Sequence, residues 1–142
     1  MEEKVNELLS VLKDSIGTFD YDIIAIETVK KIEQYENSFI FVEPILKLME
    51  LYPLADFGAP GELVHFMEEF YKKGYEELLY ESFKRRPTLH TVEMVNRIIN
   101  DEAFSDRQKF IELLIESRMR DDLESDIVLK IDDFLDYIST YS

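Results

Sequence analysis

The chain has 142 residues, 46% hydrophobic and 33% charged, and its 31 acidic and 16 basic side chains give a formal charge of −15. That length suits a single domain, 1–142, with a real hydrophobic core, and the composition excludes a disordered chain. Cysteine is absent, which removes disulfide frameworks and thiolate metal sites, and the acidity argues against nucleic acid or an anionic membrane as partner.

The opening MEEKVNELLS is acidic and amphipathic, without the basic start and apolar run of a secretory signal. No window approaches the roughly 20 apolar residues of a membrane span, so a cytoplasmic protein is expected. Val5, Leu8, Leu9 and Leu12 predict a helix over Glu2–Ile16, stopped by Gly17. Thr18 or Asp20 is placed to cap a second, in which Tyr21, Ile24, Ala25, Thr28, Val29, Ile32 and Tyr35 keep helical spacing. A third begins between Ser38 and Glu43, with Pro44 suited to its first turn, and ends before Pro53. Gly61–Lys73 reads as a helix ended by Gly74. Tyr75–Arg85 follows, and Thr88 caps a helix carrying Leu89, Val92, Val95, Ile98 and Ile99. Ser105 and Gln108 form a candidate capping box for Phe110, Ile111, Leu113 and Leu114. Ser125 or Asp122 opens the last helix, with Ile127, Ile131, Phe134, Leu135 and Ile138 in register. The expected fold is all-α: seven to eight antiparallel helices, as a HEAT-like α-solenoid first and an irregular helical bundle second.

The stretch between Tyr52 and Glu69 interrupts this pattern. Asp56-Phe57-Gly58 makes a turn in which Gly58 is free to take positive φ and Asp56 to bond nearby backbone N–H groups. Pro60 suits the first turn of the helix after it, and Gly61 completes the break. His65, between Val64 and Phe66, is expected to be partly buried and bonded to Asp56 or to a carbonyl of the turn. The string DFG-x-PG-x-LVHF-x-E, carried by Asp56, Phe57, Gly58, Pro60, Gly61, Leu63, Val64, His65, Phe66 and Glu68, resembles a family of immunity proteins from bacterial polymorphic toxin systems. The resemblance covers roughly a tenth of the chain. It implies a cytoplasmic protein that binds and neutralises one cognate toxin.

Catalysis finds no home in these residues. Asp56-Phe57-Gly58 spells the kinase magnesium triplet without the glycine-rich loop, lysine strand or catalytic loop that give it meaning. Gly58-Ala59-Pro60-Gly61 lacks the lysine and length of a phosphate loop. His65 and His90 are too few and too far apart for a metal site on spacing, and no His-Glu-x-x-His pattern occurs. Adjacent acids such as Glu68-Glu69, Glu76-Glu77, Asp121-Asp122 and Asp132-Asp133 diverge by about 100° on a helix and read as solvated faces. No enzyme activity, cofactor or metal is expected.

Two features point to a protein partner. One is the acidic run Asp121, Asp122, Glu124, Asp126, Asp132, Asp133 and Asp136, relieved locally only by Lys130. Asp122, Asp126, Asp133 and Asp136 are placed to form a stripe on or entering the last helix. The other is an aromatic content of ten Phe and eight Tyr, with Tyr21, Tyr35, Tyr71, Tyr80, Tyr137 and Tyr141 near charged positions. Acid and tyrosine together suit a tight protein interface; the plainer reading is tyrosines capping the core edge. The candidate partner-binding residues are Asp121, Asp122, Glu124, Asp126, Asp133, Asp136 and Tyr137. The expected function is immunity against a basic toxin domain, possible targets including a nuclease whose phosphate-binding site the acids would imitate. The alternative is a helical-repeat adaptor in an unrelated pathway. Neither reading involves nucleic acid or membrane, and a monomer is expected, with a homodimer left open.

Overall fold

A computed structural model describes residues 1–141, without the side chain of Tyr141. Eight α-helices follow one another: α1 (Glu2–Ser15), α2 (Tyr21–Glu33), α3 (Val42–Leu51), α4 (Glu62–Glu68), α5 (Tyr75–Arg85), α6 (Leu89–Ile99), α7 (Arg107–Arg118) and α8 (Ser125–Tyr141), with a 3-10 helix, Ser38–Phe41, before α3. The chain is all-α, and the described residues contain no strand.

Packing follows chain order. α1 packs on α2 and α3, α3 on α5, and α5 on α6 and α7; α2 packs on α4, while α8 closes against α6 and α7. The odd-numbered helices thus form one continuous row, and the even-numbered helices pack as two pairs, α2 with α4 and α6 with α8, linked by the Arg97–Glu68 ion pair. Each helix meets chiefly those one and two places along the chain, which is how stacked helix pairs bury a continuous core. Ile32, Phe41, Leu46, Met49, Leu63, Met67, Leu79, Phe83, Val95 and Leu114 are buried in it. Burying one such side chain stabilises by roughly 1.5–3 kcal/mol relative to leaving it exposed. Ion pairs tie the helices at their edges. The Arg85 guanidinium forks onto Glu50 (3.0 and 2.9 Å), whose carboxylate also accepts from Ser82 Oγ at 2.7 Å, joining α5 to α3. Arg97 Nε donates to Glu68 at 2.7 Å, joining α6 to α4.

The capping expectations divide. Thr88 Oγ1 accepts from Thr91 N at 3.1 Å and Thr91 Oγ1 from Thr88 N at 2.9 Å, so α6 has the predicted cap in a reciprocal box. Ser105 does not cap α7; Asp106 holds that position and makes no side-chain cap bond. Nor do the side chains of Thr18 and Asp20 cap α2. Thr18 Oγ1 instead donates back to Ser15 O at 2.7 Å, closing α1. α3 begins within the predicted window, after Phe39 and Phe41 have turned through the 3-10 helix to meet Phe70 and Tyr35, at ring centroid distances of 5.2 and 5.6 Å.

The helix predicted over Gly61–Lys73 is shorter. It stops at Glu68, and residues 69–74 descend in turns, with Phe70 N and Tyr71 N donating three residues back. Lys72 takes a positive φ of 66°. The carboxylate of Glu76 explains how this is held, accepting from Lys72 N at 2.7 Å and Gly74 N at 3.4 Å. Glu76, expected on a solvated face with Glu77, is therefore buried. A carboxylate that satisfies backbone donors loses less by burial than a lone one.

Candidate functional site

Phe57 is the centre of the Asp56–Gly61 turn. Its ring is buried between Tyr21, at the start of α2, and His90, at the start of α6, both in edge-on contact at 6.0 and 5.5 Å between centroids. Its backbone N–H donates to His90 Nε2 at 2.9 Å, and its carbonyl accepts from Tyr21 Oη at 3.4 Å. Asp56 Oδ1 accepts from Gly58 N at 2.8 Å, the local bond the sequence predicts. Leu89 N donates to Pro53 O at 3.0 Å, pinning the entry to the turn against the same end of α6. Gly58 has φ +114° and Gly61 φ +91°. A Cβ on Gly58 would fall inside 3.0 Å of the Gly61 Cα, and one on Gly61 would strike the Phe57 carbonyl.

Two expectations for this stretch fail. His65 is exposed on α4, because Leu63, Val64, Phe66 and Met67 take the inward positions and leave residue 65 on the far side. The histidine that holds the turn is His90, 33 residues beyond Phe57. Its place behind Thr88-Leu89 was the only sequence sign that it sits at a helix start. Pro60 is not in the first turn of α4; Gly61 is the residue before the helix, and Pro60 precedes it through a cis Ala59–Pro60 bond.

His90 is 8% exposed, and burial holds its pKa below the ordinary imidazole value, partly offset by Glu93 and Asp56. Tyr21 is also buried, and its hydroxyl is pushed well above the usual tyrosine range by that burial and then by Asp22 and Asp56. Both side chains are thus held neutral and serve as hydrogen-bonding groups. The turn is a structural junction between the even-numbered helices.

The acidic run is only partly free. Arg120 chelates Asp122 through Nε and Nη2 at 2.9 and 2.8 Å, and this bond holds the Asp122 carboxyl below its usual range. Arg86 donates to Glu124 at 2.7 Å, and Arg118 pairs with Asp132. Lys130 is committed to Glu93. Tertiary structure therefore brings Arg86 and Arg118 to a segment that shows one lysine in sequence, while Arg120 pairs locally with an acid two residues on. Asp126, Asp133 and Asp136 are exposed and form no ion pair among the described residues. They share one face of α8 with Leu129 and Tyr137, which are 61% and 57% exposed. Asp121 is exposed just before the helix. The predicted stripe therefore forms from Asp126, Asp133 and Asp136, with Asp122 diverted to Arg120.

A third feature has no sequence signal. Between α1 and α3 lies a groove of about 1250 Å³, lined by Val5, Leu9, Pro44, Leu48 and Leu51, with Lys13, Lys47 and Arg85 among its charged residues. Among the described residues no three His, Asp or Glu side chains gather as metal ligands would, and no helix is long and apolar enough to cross a membrane.

Comparison with known proteins yields no match: no family model, no curated protein and no solved structure is similar to this chain. The likeness to immunity proteins thus rests on the residues from Asp56 to Glu68 alone.

Proposed function

We propose that this chain is an immunity protein that binds a cognate basic toxin domain in the cytoplasm and neutralises it by occlusion rather than catalysis. The observation that carries the reading is the outer face of α8, where three carboxylates without ion-pair partners among the described residues flank Leu129 and Tyr137. Such a face offers long-range attraction for a cationic partner and an apolar and aromatic centre to bury on contact. The net charge of −15 adds to the steering. The string at Asp56–Glu68 supplies the family resemblance, and its residues build the scaffold beneath.

The test is co-expression with the product of the gene directly upstream, followed by co-purification and growth rescue. The reading expects a tight complex whose association slows as salt rises, together with protection from toxicity. A folded toxin domain that neither elutes with the chain nor is neutralised by it would sink the proposal. The adaptor reading draws on the α1–α3 groove, whose apolar lining suits an amphipathic helix. It expects binding that survives changes to α8 and is lost on filling the groove.

A further inference from the structure

We propose that His90 is an acid-sensitive latch on the Asp56–Gly61 turn. In the closed state Nε2 accepts the Phe57 N–H bond, so the imidazole must be neutral with its proton on Nδ1. A proton taken from solvent at Nε2 turns that acceptor into a second donor facing a donor. The Phe57–His90 bond then breaks, and the ring rotates away or the turn leaves.

The groups around His90 give the imidazolium little to replace what is lost. Asp56, on the turn itself, accepts from Gly58 N. Glu93, one helical turn along α6, is paired with Lys130 of α8, and that lysine opposes a charge on the ring. The Tyr21 hydroxyl, from α2, points to the Phe57 carbonyl. The Ala55 carbonyl favours a charge on the ring only weakly, behind the larger opposing effect of burial, and Nδ1 makes no hydrogen bond of good geometry among the described residues. Releasing the turn exposes Phe57, now 1% exposed, and loosens the junction of α2, α4 and α6.

The direction with pH follows from linkage. The closed turn binds the proton less readily than the open one, so closure is complete above the ordinary imidazole pKa and is lost as pH falls below it. One proton is taken up on opening, so the open population should rise about tenfold per pH unit below roughly 6.5, until the closed state itself titrates.

The experiment is amide hydrogen exchange followed by NMR on the whole chain between about pH 7.5 and 5, with each rate divided by the intrinsic rate at that pH. Phe57 N–H is expected to lose protection as pH falls while Leu114, buried in α7, keeps its own. His90→Gln, whose amide oxygen accepts but does not titrate, is expected to flatten the Phe57 profile. Parallel loss at Leu114 would mark global acid unfolding and overturn the latch, as would an unchanged slope in His90→Gln. Should that variant fail to fold, the imidazole ¹⁵N shifts of the native chain decide. Unprotonated Nε2 at neutral pH supports the latch, and Nε2 carrying the proton there overturns it.

Discussion

At Gly58 a side chain has nowhere to go, since its Cβ would meet the Gly61 backbone and its φ of +114° disfavours any L residue. Gly58→Val is expected to cost at least about 2 kcal/mol, combining backbone strain with displacement of the α4 start. Urea denaturation checks this; an unchanged midpoint would remove the turn from the list of structural determinants. The two histidines give a second, opposed pair of outcomes. His90→Ala removes the acceptor for a buried N–H and a ring packed on Phe57, and is expected to cost about 2–3 kcal/mol. His65→Ala, on the exposed side of α4, should leave the midpoint where it is. The same titration run on both variants distinguishes them, and equal losses would contradict the assigned roles.

Helix boundaries depend on which donors find an acceptor. Thr88→Ala should destabilise by about 1 kcal/mol, because its hydroxyl closes a reciprocal cap with Thr91 at a fully buried helix start. Ser105→Ala should change little, since Asp106 holds the cap position of α7 and no side-chain bond is lost. Thermal melts of the two variants side by side test the contrast. Both sites offered plausible cap residues; the buried Thr88–Thr91 pair formed its box, while α7 began one residue later than Ser105 requires. The short α4 has the same character. Leu63, Val64, Phe66 and Met67 were legible as an apolar face, but the helix end was not, because the group that supports it is the carboxylate of Glu76 on the next helix.

Across the whole molecule the charge is unevenly compensated. Arginines just past α5 and at and just past the end of α7 neutralise Asp122, Glu124 and Asp132, leaving Asp126, Asp133 and Asp136 on the outer face of α8. Reversing these three to Lys should preserve the helical circular dichroism, with a small stability loss where Asp126 no longer complements the N-terminal end of α8. The association rate with a basic toxin domain should fall about tenfold or more at low salt, and the difference should shrink as salt rises. Stopped-flow mixing measures it; equal on-rates at low salt would place the interface elsewhere. Because each helix leans chiefly on near neighbours, such a change at the last helix should leave the Asp56–Gly61 junction undisturbed.

The sequence by itself determined what local spacing and composition can determine. Apolar residues at helical intervals specified the helices, the Asp56–Gly58 turn followed from one carboxylate and one glycine two residues apart, and Thr88 announced its cap. Tertiary structure decided whatever depends on groups far apart in the chain. It selected His90 rather than His65 to hold Phe57, brought Arg86 and Arg118 to the acidic segment, and opened the groove between α1 and α3. The physical reason is the same each time: a helical period tells which side of a helix faces inward, but not which distant side chain meets the donor or charge presented there.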